Sequence, residues 1–131
     1  VRTLAHRAFK AVRPQNREQA EAARVTYRGA FSPDDWLPEL LVDAYHPQLH
    51  GGTGLQADVD LARWLARRVR LLLAGGLTPE TVGEIVKQVR PWGVDISSGV
   101  ERVKRIKDHG RVRAFVDAVR AADSAIERES E

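Results

Sequence analysis

The sequence predicts an α/β fold made of about four consecutive strand–helix units with parallel strands. Short apolar segments alternate with segments of helical periodicity, at intervals of about 25 to 30 residues. Two of the apolar segments run directly into turns of small residues, Gly75-Gly76 and Ser97-Ser98-Gly99. With 131 residues, 43% of them hydrophobic, the chain is long enough for one core and too short for two ordinary domains.

The first unit begins with a strand predicted over residues 8–13. Asn16 then provides a helix N-cap, and Gln19, three residues later, completes a capping box. An alanine-rich helix is therefore expected to run toward Tyr27.

The second unit has its strand at residues 40–43. A long glycine-rich loop over residues 46–57 is expected to follow it. Leu61, Trp64 and Leu65 then stand at the i, i+3, i+4 spacing of an amphipathic helix.

The third unit has its strand at residues 70–74. Thr78 is the expected N-cap of the next helix, with Pro79 at the first helical position, where its missing N–H costs nothing. The buried stripe of this helix is predicted to be Val82, Ile85, Val86 and Val89.

The fourth unit has a strand at residues 93–96 and a helix that begins near Asp108. Residues 122–131 are predicted to form a polar tail that frays from Ser124 onward. The buried stripe of this last helix is predicted to be Val112, Phe115, Val116 and Val119.

Strands connected by helices run parallel, and right-handed crossovers place all four helices on one face of a curved sheet. The carboxyl ends of the strands then meet at one rim, as in a (β/α)8 barrel, where the loops after the last two strands hold a phosphate. A whole barrel needs about 250 residues, so residues 1–131 are predicted to form one partial domain, the C-terminal half of a TIM barrel. The rim collects Asp43, Gly75, Gly76, Ser97, Ser98 and Gly99.

Both turns of small residues are candidate phosphate sites. Gly75 and Gly76 can adopt positive φ angles and expose backbone N–H groups, and the following helix adds partial positive charge. Ser97, Ser98 and Gly99 repeat this design and add two hydroxyls. The alternatives are a plain tight turn at the glycines and local capping of the backbone by the serines. The presence of two such turns in consecutive units favours phosphate.

Asp43 is the candidate catalytic residue, because it directly follows an apolar strand. Partial desolvation favours the protonated carboxyl that a general acid needs near neutral pH. The alternative is an aspartate that caps the amides of its own loop. Asp95 precedes the second turn, but the sequence does not fix the face of the strand to which it belongs, so its role stays open.

The segment Gly51, Gly52, Thr53 and Gly54 is expected either to close over a ligand as a substrate loop or to form a mobile surface loop. His46 and His50 lie close to it in sequence. Two histidines without a third ligand indicate exposed side chains, so no metal site is predicted.

Composition excludes several function classes. The formal net charge is only +3, and the basic stretch of Arg102, Lys104, Arg105 and Lys107 contains no aromatic residue, so we expect a solvated loop and no nucleic-acid partner. The chain has no cysteine, which excludes disulfides and thiolate metal sites. No apolar run reaches the length of a membrane helix and no signal-peptide core is present, so we expect no membrane partner and a cytoplasmic location.

The chain closely resembles the C-terminal half of phosphoribosylanthranilate isomerase at five segments: residues 40–43, 51–54, 73–80, 90–101 and 107–109. The resemblance extends from about Phe9 to Ala121, which leaves the first four units of the barrel unmatched. Departures from the family pattern occur at Leu55, after the glycine-rich loop, and at Lys104-Arg105, where a Pro-Gly turn is usual.

This resemblance implies an enzyme of tryptophan biosynthesis that works without cofactor or metal. The family converts N-(5-phosphoribosyl)anthranilate into 1-(2-carboxyphenylamino)-1-deoxyribulose 5-phosphate by an Amadori rearrangement. A general acid opens the ribose ring to a Schiff base, and a general base then removes the C2 proton. Asp43 aligns with the acid, and the two turns align with the site of the substrate phosphate. The family's base is a cysteine that, like the arginine for the anthranilate carboxylate, belongs to the other half.

A half barrel exposes strand edges and an apolar concave face, so we expect this chain to pair with an N-terminal half-barrel or to self-associate. We also expect a truncated chain, because it begins at Val1 without an initiator methionine. Two alternatives to the isomerase remain open. One is a non-catalytic half-barrel module that binds phosphate, and the other is half of a histidine-pathway isomerase.

Overall fold

The computed structural model describes the backbone of residues 8–27, 36–43 and 52–130 and, apart from residues 52–57, their side chains. Four strands form one sheet in the order β1-β2-β3-β4, and all neighbouring strands are parallel. The predicted parallel sheet is confirmed. The strands are β1 (Lys10–Val12), β2 (Leu40–Asp43), β3 (Leu71–Ala74) and β4 (Gly93–Val94).

The outer strands are shorter than the predicted 8–13 and 93–96. Pro14, which follows β1 closely, has no N–H to donate to a ladder. β4 continues for one further hydrogen bond, from the Asp95 N–H to the Leu73 carbonyl (2.8 Å), before the chain leaves the sheet.

In the described ranges four α-helices alternate with the strands of the sheet, and α3 packs against both α2 and α4. None of the helices in the described residues combines the length and the apolar character that crossing a membrane would require. The helices are α1 (Arg17–Tyr27), α2 (Gly52–Ala66), α3 (Val82–Val89) and α4 (His109–Ser130).

Side-chain alternation along the strands separates the two faces of the sheet. Leu40 and Val42 on β2 and Leu71 and Leu73 on β3 are at most 1% exposed and form the core with the helices. Leu41, between them, belongs to the opposite face and is only half-buried. The sheet therefore has one face covered by helices and one concave face that is partly open.

The N-terminus of α1 confirms the predicted capping box. The Asn16 Oδ1 accepts a hydrogen bond from the Gln19 N–H (2.9 Å). The Gln19 Oε1 accepts in return from the N–H of Gln15 (2.9 Å), one residue before the expected partner.

The predicted loop over residues 46–57 is wrong in its second part, because α2 begins at Gly52. Glycine is tolerated at this position because the first N–H groups of a helix have no intrahelical partner. Gly52, Thr53 and Gly54 thus belong to the first turn of a helix. His46, His50 and Gly51 lie outside the described residues.

The helix α3 begins at Val82 and not at Thr78, so the predicted cap is displaced by one turn. Thr78 instead closes that turn, with its carbonyl accepting from the Val82 N–H (3.0 Å) and its N–H donating to the Thr81 hydroxyl (3.1 Å). The predicted buried stripe is confirmed, since Val82, Ile85, Val86 and Val89 are all at most 5% exposed.

A short element between β4 and α4 was not predicted. A 3-10 helix (Ser98–Val100) leads into an antiparallel hairpin of β5 (Glu101–Val103) and β6 (Ile106–Lys107). Its turn requires a positive φ of 69° at Arg105, where hairpins usually place glycine or asparagine, so the sequence carries no ordinary hairpin signal. The predicted solvated loop is therefore wrong as a loop, although its basic side chains, Arg102, Lys104, Arg105 and Lys107, are all exposed as expected.

The predicted buried stripe of α4 is half wrong. Phe115 is buried and Val119 is half-buried, but Val112 and Val116 are each 39% exposed. Phe115 and the buried Ala122, two turns apart, mark the line of α4 that meets the core. Val112 and Val116 lie beside this line, where none of the described elements covers them.

The end of α4 is helical up to Ser130, so the predicted fraying from Ser124 is not observed. The polar character of residues 122–131 is compatible with a solvated helix end. An ion pair between Arg90 and Glu129 (3.2 Å) ties this end to the C-terminus of α3.

Candidate functional site

The carboxyl ends of the strands surround one cavity of about 340 Å³ on the concave side of the sheet. The cavity brings together residues from all four strand–helix units of the described chain. It joins Asp43, Asp95 and both turns of small residues, as the sequence predicted for all but Asp95. Its lining consists of Ala11, Leu41, Asp43, Ala74, Gly75, Gly76, Leu77, Asp95, Ile96, Ser97, Ser98 and Gly99.

The first turn needs its glycines for conformational reasons. Gly75 has φ 97° and Gly76 has φ 56°, a region that side chains with a Cβ rarely occupy. Leu77, which follows, is only 2% exposed and anchors the turn in the core. The turn therefore places its backbone, and no side chain, against the cavity.

The second turn lies directly against the first. A Cβ added to Gly99 would stand 2.0 Å from the carbonyl oxygen of Leu77, which is far inside van der Waals contact. Only glycine fits at this position. The two turns therefore form one continuous backbone surface at the rim of the cavity.

The serines of the second turn are exposed and line the cavity. The Ser97 hydroxyl does not cap the 3-10 helix that follows it. Within the described part of the chain the hydroxyls of Ser97 and Ser98 make no hydrogen bond. The predicted alternative, local capping of the backbone, is therefore not what these serines do.

Asp43 ends β2 in register with Ala74, the residue directly before the glycine turn. Its side chain is 34% exposed and forms an ion pair with Arg13, which follows β1. Sequence reasoning missed Arg13. The parallel register, which pairs Val12 with Val42, is the signal that could have placed Arg13 beside Asp43.

The structure resolves the position of Asp95. The hydrogen bond from its N–H to Leu73 extends the register of β3 and β4, so Asp95 is level with Ala74 and Asp43 on the concave face. Two strand spacings, about 10 Å, separate the backbones of the two aspartates. Both carboxylates therefore line the cavity from either side of the strand that leads to the glycine turn.

Two ion pairs lie beside the second turn, and none of their residues lines the cavity. Arg111 donates to the Gly99 carbonyl (3.0 Å) and, with both terminal nitrogens, to Glu80 (3.0 and 3.1 Å). Hydrogen bonds from Arg111 are the main reason why the pKa of Glu80 lies below its usual 4.5. Lys107 donates to Glu101 (2.9 Å) and thereby lowers the pKa of Glu101 in the same way.

The described residues contain no group of histidine and acidic side chains that could hold a metal ion. None of the residues of the predicted substrate loop, 51–54, is among those that line the cavity in the described part of the chain. Gly52, Thr53 and Gly54 start α2, and Gly51 lies outside the described range, so their role stays a prediction.

Comparison with known proteins identifies the chain's relatives. A family model described as N-(5'phosphoribosyl)anthranilate (PRA) isomerase matches residues 7–118. The N-(5'-phosphoribosyl)anthranilate isomerase of Roseiflexus sp. (strain RS-1) is 58% identical over 94 residues, which cover 67% of this chain and 44% of that protein. The enzyme of the same name from Pseudomonas fluorescens (strain SBW25) is 41% identical over 119 residues, which cover 90% of this chain and 52% of that protein.

Solved structures of the same family share the fold of this chain. The crystal structure of phosphoribosyl anthranilate isomerase from Thermotoga maritima superposes with a TM-score of 0.68 at 34% identity, covering 92% of this chain and 55% of that one. This chain thus spans about half the length of the relatives that it matches. The superposition confirms a partial TIM barrel.

The close contact at Gly99 predicts a loss of stability on substitution. Gly99→Ala is expected to lower the free energy of unfolding by about 1–3 kcal/mol, because the Leu77 backbone must move away. Gly83→Ala is the control, since its Cβ would meet only the Ala118 carbonyl oxygen at 3.5 Å, an ordinary contact. Because alanine favours the helix more than glycine, this substitution should raise the free energy of unfolding by up to about 1 kcal/mol. Urea denaturation measures both. A Gly99→Ala chain as stable as the original would contradict the contact.

The ion pair of Glu80 predicts a pH-dependent contribution to stability. A carboxylate whose pKa is lowered on folding stabilises the fold above its unfolded pKa, and this contribution disappears as the pH falls through the folded pKa. Glu80→Gln is therefore expected to be slightly less stable than the original chain at neutral pH, with the gap closing below pH 4.5. Urea denaturation at several pH values measures the gap. Glu127→Gln, at an exposed glutamate, is the control, and a gap that does not change with pH would refute the assignment.

Proposed function

The chain belongs to the N-(5'-phosphoribosyl)anthranilate isomerase family, and on this premise we propose that it carries the general acid and the phosphate site of that isomerase. The proposed reaction is the Amadori rearrangement of N-(5-phosphoribosyl)anthranilate to 1-(2-carboxyphenylamino)-1-deoxyribulose 5-phosphate. The observation that carries the proposal is the single cavity on which Asp43 and both small-residue turns open.

The two turns bind the substrate phosphate in this proposal. Gly75 and Gly76 adopt positive φ angles that favour glycine, and because glycine has no side chain, the backbone of this turn can contact the phosphate directly. The Ser97 and Ser98 hydroxyls line the same cavity without a partner in the described chain and are available as donors to phosphate oxygens. Adjacent backbone turns that expose N–H groups are a common way to bind an anion.

Asp43 is the proposed general acid. It donates a proton to the ribose ring oxygen while the bond from C1 to that oxygen breaks, and the anthranilate nitrogen supplies the electrons for the Schiff base. In a ribose 5-phosphate the ring oxygen is a few bonds from the phosphorus. The register with Ala74 places Asp43 about one strand spacing, or ~5 Å, from the start of the phosphate turn. This separation suits one substrate that spans both groups.

Arg13 forms an ion pair with Asp43. In the proposed mechanism Asp43 leaves Arg13 and takes up a proton from solvent as the substrate binds, and the protonated carboxyl then donates to the ring oxygen. Asp95, across the cavity, is positioned to accept hydrogen bonds from sugar hydroxyls.

The base must come from outside this sequence. The resemblance implies a cysteine base and an arginine for the anthranilate carboxylate in the other half of the barrel, and this chain contains no cysteine. We therefore expect the chain alone to be inactive. From the resemblance we also propose that the completed barrel requires no cofactor and acts in the cytoplasm. The alternative function is a non-catalytic half-barrel module that binds phosphate.

The completing partner is proposed to be four further strand–helix units. Within the described residues β1 and β4 each have one neighbouring strand, and the concave face exposes Ala11 and part of Leu41. Val112 and Val116 on α4 form a further uncovered apolar patch. The relatives are about twice as long as the matched region, which is the length that four further units would need.

The role of Asp43 is tested in a chimera, in which this chain replaces the 119 matching residues of the Pseudomonas fluorescens relative. Asp43→Asn is expected to lower kcat by about 10² to 10⁴, the usual effect of removing a general acid, with product affinity nearly unchanged. The control is Asp123→Asn on the exposed surface of α4. Full turnover of the Asp43→Asn chimera would refute the role. An unsubstituted chimera that binds product without turnover would favour the non-catalytic alternative.

The partner is tested by co-expressing this chain with the unmatched N-terminal part of the same relative. We expect one complex with a 1:1 ratio in size-exclusion chromatography with light scattering, because the two open edges and the apolar face are then covered. The chain expressed alone is expected to self-associate. A monodisperse monomer that does not bind the N-terminal part would contradict the proposal. A stable dimer of this chain alone would instead identify a second copy of the chain as the partner.

A further inference from the structure

We propose that Lys107 and Arg111 are positioning residues that hold the second turn in the conformation that binds phosphate. This inference rests on the proposed phosphate site. Neither residue lines the cavity, yet each donates a hydrogen bond to a carbonyl of that turn: Lys107 to Ser97 (2.8 Å) and Arg111 to Gly99 (3.0 Å).

Lys107 orients the peptide group between Ser97 and Ser98. None of the described peptide bonds is cis, so the N–H of Ser98 points away from the carbonyl of Ser97. Lys107 does not line the cavity, so we infer that it holds the Ser97 carbonyl away from the cavity and leaves the Ser98 N–H as the polar group of this peptide that faces it. The lysine thus determines which polar group of this peptide faces the ligand.

Arg111 fixes the distance between the two turns. Its guanidinium bonds the Gly99 carbonyl in the second turn and both carboxylate oxygens of Glu80, which follows the first turn. The two partners are distant in sequence, so the link joins separate strand–helix units. Together with the contact between Gly99 and Leu77, it leaves the turns little freedom to move apart.

The charges of both cations are already compensated. Lys107 is paired with Glu101 (2.9 Å) and Arg111 with Glu80 (3.0 Å). A cation that binds phosphate directly would be expected to face the cavity with its charge available. The carboxylates instead hold the two side chains in the orientation that reaches the carbonyls, which supports a positioning role.

The start of α4 places Arg111 where it is needed. The Asp108 carboxylate accepts from the Arg111 N–H (3.0 Å), and the Asp108 N–H donates to the Val100 carbonyl (2.8 Å). The cap therefore joins α4 directly to the end of the second turn. This accounts for the Lys107-Asp108 segment, to which neither the acid nor the phosphate contacts assign a role.

The test uses the chimera with the Pseudomonas fluorescens relative, labelled with ¹⁵N, so that the barrel is complete, and inorganic phosphate as the probe. Two quantities are measured for each variant: the Ser98 and Gly99 amide resonances without ligand, and the phosphate dissociation constant. Lys107→Met is expected to move both resonances and to weaken phosphate binding at least tenfold. Lys107→Arg is expected to restore most of both. Lys104→Met, on the same hairpin and also exposed, is the matched control and should change neither.

Each outcome decides the inference. Unmoved resonances in Lys107→Met overturn it, and weaker phosphate binding without moved resonances assigns Lys107 to direct phosphate contact, which also overturns it. If the resonances move but the phosphate dissociation constant is unchanged, the conformation of the turn does not determine phosphate affinity, and the inference is rejected as well. If the unsubstituted chimera binds no phosphate, the proposed site fails, and the resonances alone then decide whether Lys107 orients the turn. Glu101→Gln, which removes the partner of Lys107, replaces Lys107→Met if that variant does not fold.

Discussion

The parallel register of the four strands is the constraint on which the site depends. Asp43 is level with Ala74, and the Asp95 N–H extends the same row through Leu73, so three neighbouring strands present one row of residues to the concave face. A slip of one residue in any strand would turn its side chains to the opposite face. The buried Leu40 and Val42 prevent such a slip in β2, because they would lose their place under the helices. Core packing thus determines where the carboxylates point.

The same register brings the two small-residue turns together, but their exact contact depends on groups far apart in sequence. Gly99 fits against Leu77 only because it has no side chain, and Arg111 joins Gly99 to Glu80. Backbone surfaces of this kind are sensitive to shifts of a few tenths of an ångström. The ion pairs behind the turn therefore matter more for its shape than for the overall stability, to which exposed pairs contribute little.

Sequence patterns predicted the parts of this molecule that depend on local periodicity and on strand order. The four parallel strands, the buried stripe of α3 and the gathering of Asp43 with both turns follow from apolar spacing and the geometry of crossovers. The hairpin of β5 and β6 escaped prediction because Arg105 adopts a left-handed conformation without a glycine signal. Arg13 beside Asp43 escaped because the contact joins different strands, and Val112 was misplaced because burial on α4 depends on tertiary neighbours.

We propose that one half-barrel supplies both the acid and the phosphate site of an isomerase. The most direct measurement is a crystal structure of the chimera with the Pseudomonas fluorescens relative, bound to 1-(2-carboxyphenylamino)-1-deoxyribulose 5-phosphate. We expect the phosphate at the backbone of Gly76 and Ser98, and Asp43 within hydrogen-bond distance of the sugar after release from Arg13. A phosphate bound elsewhere, or an Asp43 still paired with Arg13 and remote from the sugar, would contradict it.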